Sequence, residues 1–245
     1  SPLEDRMKRL RSALVSLLLP ALLAACASSP TAPSPAASPS IPEQVSHAAW
    51  ERDMQGFAER DAASPPPKGA VLFIGSSSIR LWDTLASDFP GVSVINRGFG
   101  GSEIRDSTWY ADRIVVPYAP RQVVLYAGDN DLFSGRSPVQ VRDDFRAFVQ
   151  RVRRDLPQVE IAYIANKPSP SRANLLDLQR QANALVKADA TRLKVNFIDV
   201  FTPMLDAQGQ PREELFLLDR LHMNAAGYEV WKQAVRPYLD SDVKP

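Results

Sequence analysis

From Ala70 onward the chain alternates between two patterns of apolar residues. Five short runs are almost continuously apolar or β-branched: 70–74 (Ala-Val-Leu-Phe-Ile), 92–95, 122–126, 160–164 and 195–199. Such runs suit parallel strands that are covered on both faces, where neither side of the pleat calls for polar residues. The stretches between them are amphipathic, and they predict helices near 79–86, 102–115, 138–155 and 172–190, with a closing helix over 225–239. In the third of these, Val141, Phe145, Phe148, Val149 and Val152 recur at three and four residues, which makes a stripe facing a core. Ahead of the first strand, 43–62 predicts a helix with Trp50, Met54 and Phe57 on one face, packed against the sheet edge. Five strand–helix units in one stretch predict a single doubly wound α/β domain over 47–245, with a five-stranded parallel sheet between helices.

The first 46 residues follow neither pattern. A basic stretch, Met7-Lys8-Arg9-Leu10-Arg11, precedes an apolar run from Ala13 to Ala25 that contains Pro20 and ends at Cys26. The run falls short of the roughly 20 residues needed to span a bilayer and reads as a secretory signal. Leu23-Ala24-Ala25-Cys26 resembles a bacterial lipobox, which implies lipidation of Cys26 and a membrane anchor there. Ala27 rather than Asp follows the cysteine, and in that resemblance this implies the outer membrane of the cell envelope, facing the periplasm. Residues 1–26 are thus expected to be a signal segment, with 1–6 a start extension. Residues 27–46, with five prolines among Ala, Ser and Thr, are expected to be an extended linker.

Composition narrows the chemistry. The 245 residues carry 29 Lys and Arg against 28 Asp and Glu, so no general excess of positive charge is available for a nucleic-acid partner. One cysteine makes neither an internal disulfide nor a cysteine zinc site, and two histidines leave little for a metal centre. Imidazole chemistry must therefore use His47, beside the linker, or His222.

Glycines cluster just beyond the predicted strands: Gly75 after the first, Gly98, Gly100 and Gly101 after the second, Gly128 after the third. The carboxyl ends of strands in an open parallel sheet form the ligand crevice, and glycine there permits tight turns and close backbone approach. The first turn, Gly75-Ser76-Ser77-Ser78, sets serines at a helix N-terminus, whose N–H groups stabilise a developing anion. The third, Gly128-Asp129-Asn130-Asp131, offers an amide donor. Near the C-terminus, Asp219-Arg220-Leu221-His222 sets carboxylate and imidazole on one side of a turn, where the carboxylate can hold Nδ1 and leave Nε2 free to deprotonate a serine.

These blocks together resemble the SGNH/GDSL hydrolases over about 70–239. Gly75-Ser76-Ser77-Ser78 stands where that family reads Gly-Asp-Ser, with Ser76 in place of the Asp. Ser77 aligns with the nucleophile, and Ser76 and Ser78 lie one position away. Ile95-Asn96-Arg97-Gly98-Phe99-Gly100-Gly101-Ser102 matches the second block, in which Gly101, or else Gly100, supplies an oxyanion amide. Gly128-Asp129-Asn130-Asp131 and Asp219-Arg220-Leu221-His222 match the third and last blocks. The resemblance implies a flavodoxin-like hydrolase domain, a Ser77–His222–Asp219 triad, an oxyanion hole from Ser77, Gly101 and Asn130, and hydrolysis of carboxylic esters without metal or organic cofactor. The substrate would be a small ester, a lipid such as a lysophospholipid, or an acylated glycan, and transfer to an alcohol in place of water is open within the family. A phosphate- or flavin-binding module is the non-catalytic alternative, and it leaves Asn130 and the Asp219–His222 pair without roles. Trp82 reads as a core residue or a wall of an acyl pocket. The loop 166–172 reads as a rigid turn or a substrate-facing wall, and Arg151, Arg153 and Arg154 as a solvated helix face.

Overall fold

A computed structural model describes residues 47–239. The signal segment, the lipobox with Cys26 and the linker expected from the sequence lie outside the described residues. A 3₁₀ turn, His47–Trp50, leads into α1 (Glu51–Ala63), followed by β1 (Val71–Gly75), α2 (Ser77–Arg80) and α3 (Leu85–Asp88). Then come β2 (Val94–Gly98), α4 (Ile104–Ile114), β3 (Gln122–Tyr126), α5 (Asp129–Phe133) and α6 (Pro138–Asp155). The domain closes with β4 (Glu160–Ile164), α7 (Leu176–Leu193), β5 (Asn196–Ile198) and α8 (Ala225–Val235).

The five strands pair in parallel in the order β2-β1-β3-β4-β5, a flavodoxin-like order within the doubly wound sheet expected from the alternation of patterns. Successive strand residues enter opposite layers, as the pleat requires. Leu72, Ile74, Val123, Leu125 and Ile161 face the layer that holds α1, α4, α6 and α7, whereas Val71, Phe73, Val124, Ala162 and Ile164 face the layer closed by α8. Both faces are covered, which explains the continuous apolar runs. The Val141–Val152 stripe of α6 is wholly buried.

Helix α1 packs on the edge strand β2, as its apolar face predicts. The Arg97 guanidinium lies 5.0 Å from the Phe57 ring and pairs with Asp61, and Trp50 meets Phe99 edge-on at 6.0 Å. Trp82 belongs to the core, surrounded by Phe73, Phe89, Tyr228 and Trp231. The single helix predicted over 79–86 is instead two short helices. The Trp82 indole N–H and the Thr84 hydroxyl both donate to Asp88 Oδ2, at 2.7 and 2.8 Å, and these local bonds outcompete a continuous helical ladder across 81–84. Helix α5 was not expected at all. The supposed solvated face of α6 is only partly so: Arg151 pairs with Asp155 across one helical turn, but Arg153 reaches the Leu193 and Lys194 carbonyls at the end of α7.

The order reversal between β1 and β3 opens the crevice in which ligands of such sheets bind. Two glycines make that crevice possible. At Gly75, with φ +145°, a Cβ would stand 1.8 Å from the Tyr126 carbonyl oxygen, so only glycine lets β1 leave the sheet against β3. At Gly98 a Cβ would stand 2.2 Å from the Arg80 nitrogen, which fixes α2 directly over the end of β2.

Candidate active site

Of the three adjacent serines, Ser76 and Ser78 are buried, at 5% and 2% exposure, and Ser77 alone is half-exposed at the mouth of the crevice. Ser77 Oγ lies 3.1 Å from His222 Nε2, and His222 Nδ1 lies 2.6 Å from Asp219 Oδ2. The other oxygen of Asp219 accepts from the backbone N–H groups of Leu221 and His222, at 3.0 and 2.9 Å, which explains the three-residue spacing: one carboxylate closes its own turn and holds the ring that follows. Desolvation pushes the Asp219 carboxyl upward, but the imidazole bond and the two amides outweigh it and hold it at about 2. Such a chain can pass a proton from hydroxyl to imidazole and stabilise the imidazolium that results.

The sequence around His222 builds the loop that presents it. Arg220 adopts a left-handed conformation, φ +59°, and the Leu217 N–H donates to the His222 carbonyl at 2.8 Å. Asn224 caps α8 by accepting from the Ala226 and Gly227 N–H groups. Its amide donates to the Glu214 and Phe216 carbonyls, which ties the loop to the helix. The Tyr228 hydroxyl donates to the Ser78 carbonyl at 2.8 Å and so links α8 to the helix that carries Ser77.

Across the crevice, the Asn130 side chain is held at both ends. Its Nδ2 donates to the Ser102 carbonyl at 3.1 Å, and its Oδ1 accepts from Arg172 Nη1 at 3.0 Å. An amide nitrogen carries two hydrogens, so one remains for the pocket. Gly101, φ +79°, faces open space, with nothing within 4 Å of a Cβ built there. Gly100 is different: a Cβ would stand 3.0 Å from Arg80 Nε, so the guanidinium lies against the glycine itself. Ser77, Gly100, Gly101, Asn130, Arg172 and His222 line one open pocket of about 490 Å³ together with Asp53, Arg80 and Leu221. Of the residues expected from the sequence to form the site, Ser77, Gly101, Asn130 and His222 therefore meet in this pocket and Asp219 stands behind His222, whereas Cys26 lies outside the described residues.

The loop 166–172 is largely buried and touches the pocket at its end. Asn166, Lys167 and Ser169 are buried, and Arg172 reaches the pocket. Arg172 also donates to Asp129 Oδ2 at 2.6 Å, Gln179 donates to Asp129 Oδ1 at 2.7 Å, and the Lys167 ammonium lies 4.0 Å from the same carboxylate. Burial lowers the pKa of Lys167, only partly countered by Asp129. This network under Asn130 was missed in the sequence. The one visible signal was Asp129 itself, a carboxylate at a buried strand end that needs a cationic partner. Among the described residues no group of three or more His, Cys, Asp or Glu is arranged to hold a metal ion.

No curated protein matches the chain in sequence. Solved structures share its fold. A protein from Streptococcus pneumonia described as a platelet activating factor candidate superposes with a TM-score of 0.70 at 22% identity, over 79% of this chain and 94% of that one. A GDSL-like lipase from Bacteroides thetaiotaomicron VPI-5482 gives 0.65 at 19% identity, over 76% and 96%. An acetyl xylan esterase from Geobacillus stearothermophilus gives 0.56 at 17% identity, over 74% and 99%. The model of the GDSL-like lipase/acylhydrolase family matches residues 45–230, a span that holds the Ser77, Gly101, Asn130 and Asp219–His222 segments. The chain belongs to the GDSL-like lipase/acylhydrolase family and is a carboxylic ester hydrolase.

Proposed function

We propose that the chain is a serine esterase in which Ser77 is the nucleophile, His222 the general base and Asp219 the residue that orients and stabilises the imidazole. His222 takes the Ser77 proton as Oγ attacks the ester carbonyl, and Asp219, ionised throughout the ordinary pH range, stabilises the imidazolium. The oxyanion accepts from the Ser77 and Gly101 backbone N–H groups and from the free hydrogen of the Asn130 amide. The protonated His222 delivers its proton to the leaving alcohol. Water then attacks the acyl-enzyme with His222 again as base, and no metal or organic cofactor takes part.

The observation that carries this reading is the unbroken pair of hydrogen bonds from Ser77 Oγ to His222 and from His222 to Asp219. The pocket is open, and Asp53, Arg80 and Arg172 stand in its lining beside Ser77, which favours a short acyl group, such as acetyl on a sugar, over a long chain. The likeness in fold to an acetyl xylan esterase supports the same choice. With Cys26 as a lipid anchor, the enzyme would act at the bacterial envelope, and Cys26→Ser should release it from the membrane fraction. Hydrolysis of p-nitrophenyl acetate tests the chemistry. Asp219→Asn should lower kcat by about 10³- to 10⁴-fold at neutral pH, and unchanged turnover would remove Asp219 from the mechanism.

A further inference from the structure

The arginines of this protein are almost all paired. Among the described residues each arginine forms a hydrogen bond or an ion pair with a carboxylate or donates to a backbone carbonyl, with three exceptions: Arg52, Arg60, whose guanidinium lies 5.1 Å over the Phe57 ring, and Arg80. The three exceptions stand together. Arg80 lines the pocket at Ser77, and Arg52, Arg60 and Arg80 line the groove that continues from it along α1, the two depressions sharing Asp53 and Arg80. All three side chains are exposed, so no burial penalty forces a partner on them, yet thirteen other arginines of the same domain have found carboxylates. With the whole chain at a formal net charge of +1, this concentration is local.

Arg80 is fixed relative to the chemistry. It belongs to the same short helix as Ser77, three residues on, and its guanidinium lies against Gly100, next to the proposed oxyanion amide of Gly101. A side chain at position 100 would push it away. Asp53, the one carboxylate common to the two depressions, makes no ion pair with it, and Arg80 lines the pocket without a carboxylate partner. A planar fork of N–H donors matches a carboxylate or a phosphate, which it can bind through two parallel bonds.

From this we infer that the preferred substrates are anionic esters, whose carboxylate or phosphate binds Arg80 within a few bonds of the scissile carbonyl and whose further length runs past Arg52 and Arg60. The inference rests on the esterase reading above and names the substrate class of the same site. The two sources of the anion can be separated by paired acetyl esters. One pair is a methyl O-acetylglucuronoside against the matching methyl O-acetylglucoside, and the other is 1-acetylglycerol 3-phosphate against 1-acetylglycerol.

In one or both pairs the anionic member should show kcat/KM roughly 10- to 100-fold above its neutral partner, the range of one or two charge-assisted hydrogen bonds. The ratio should fall as sodium chloride is raised from 20 to about 500 mM, because the pocket is open to screening ions. It should approach one in Arg80→Gln and recover in part in Arg80→Lys. The double variant Arg52→Gln/Arg60→Gln should reduce the ratio only for longer anionic substrates. A preference confined to the first pair identifies a uronate, and one confined to the second a phosphate. A ratio near one in both pairs, or a ratio that Arg80→Gln leaves intact, overturns the inference, and if the neutral members are then still hydrolysed in a Ser77-dependent manner the esterase reading stands. If no ester of either pair is turned over and p-nitrophenyl acetate is also untouched, the esterase reading falls and the inference with it.

Discussion

Asn130 and Arg172 illustrate how a single amide is aimed. A free asparagine can rotate its amide by half a turn at little cost. Here the Ser102 carbonyl takes one hydrogen from Nδ2 and Arg172 donates to Oδ1, so the second hydrogen has one direction left. Arg172 is in turn anchored on the buried Asp129 carboxylate. Asn130→Ala should lower kcat for p-nitrophenyl acetate by about 10²- to 10³-fold with little change in KM or in thermal unfolding. Arg172→Lys keeps a positive charge beside Asp129, but its shorter side chain does not carry a donor to the place from which Arg172 Nη1 reaches both Asp129 Oδ2 and Asn130 Oδ1, so kcat should fall to an intermediate value. Normal turnover in Asn130→Ala would take that side chain out of the oxyanion hole. At this scale the sequence was readable for residues whose neighbours in the chain form the motif, such as Asp219 and His222. It was ambiguous where position alone decides, as among Ser76, Ser77 and Ser78, since burial of two of them depends on how β1 meets β3. It was silent on Arg172 and Arg80, because their partners lie 42 and 20 residues away in the chain at Asn130 and Gly100.

Among the elements, the short segment from Met223 to Tyr228 does several jobs at once. It forms an isolated antiparallel bridge with Phe216, caps α8 through Asn224 and bonds to the Ser77 helix through Tyr228. Gly227 is required by contact rather than by φ: a Cβ there would stand 2.5 Å from the Leu215 carbonyl oxygen and 2.7 Å from Met223 Cβ. Neither atom is the tip of a flexible side chain, so the loop carrying His222 must shift to admit one. Gly227→Ala should therefore destabilise the fold by about 1–3 kcal/mol in urea unfolding, and the residual folded enzyme should be slower per active molecule. Stability equal to the parent would mean that the loop relaxes freely. Helix boundaries were the least legible feature at this scale. Periodicity predicts one helix through Trp82, because Leu81 and Trp82 continue the apolar pattern, yet the bonds that Asp88 accepts from Trp82 and Thr84 split it.

Over the whole molecule, the parallel sheet and its layering were legible because both follow from alternating patterns and the chirality of strand–helix–strand units. The layer of charge beneath α4 and α5 was not, since it arises only when distant segments meet. Asp106, in the capping box of α4, is raised to about 6 from 3.8, chiefly by burial, with the Glu103 amide opposing it. Asp131 is raised well above the usual carboxylate range by burial and then by Glu103. A folded-state value above the unfolded one means that the native protein binds the proton more tightly, so this contribution is full below pH 3.8 and is lost as pH rises through about 6. Asp106→Asn keeps an acceptor for the Glu103 N–H without the charge. Its stability relative to the parent should improve by about 2 to 3 kcal/mol between pH 4 and pH 7.5 in urea titrations, about 1.4 kcal/mol for each pH unit of displacement. A difference that does not vary with pH would show that Asp106 titrates normally. The site assembled on this scaffold is tested most directly by covalent trapping with a fluorophosphonate and location of the adduct by fragmentation of the tryptic peptide 69–80, which contains all three serines. The adduct is expected on Ser77 and absent from Ser77→Ala, with Ser76→Ala and Ser78→Ala still labelled. An adduct on Ser76 or Ser78, or labelling that persists in Ser77→Ala, would contradict the assignment.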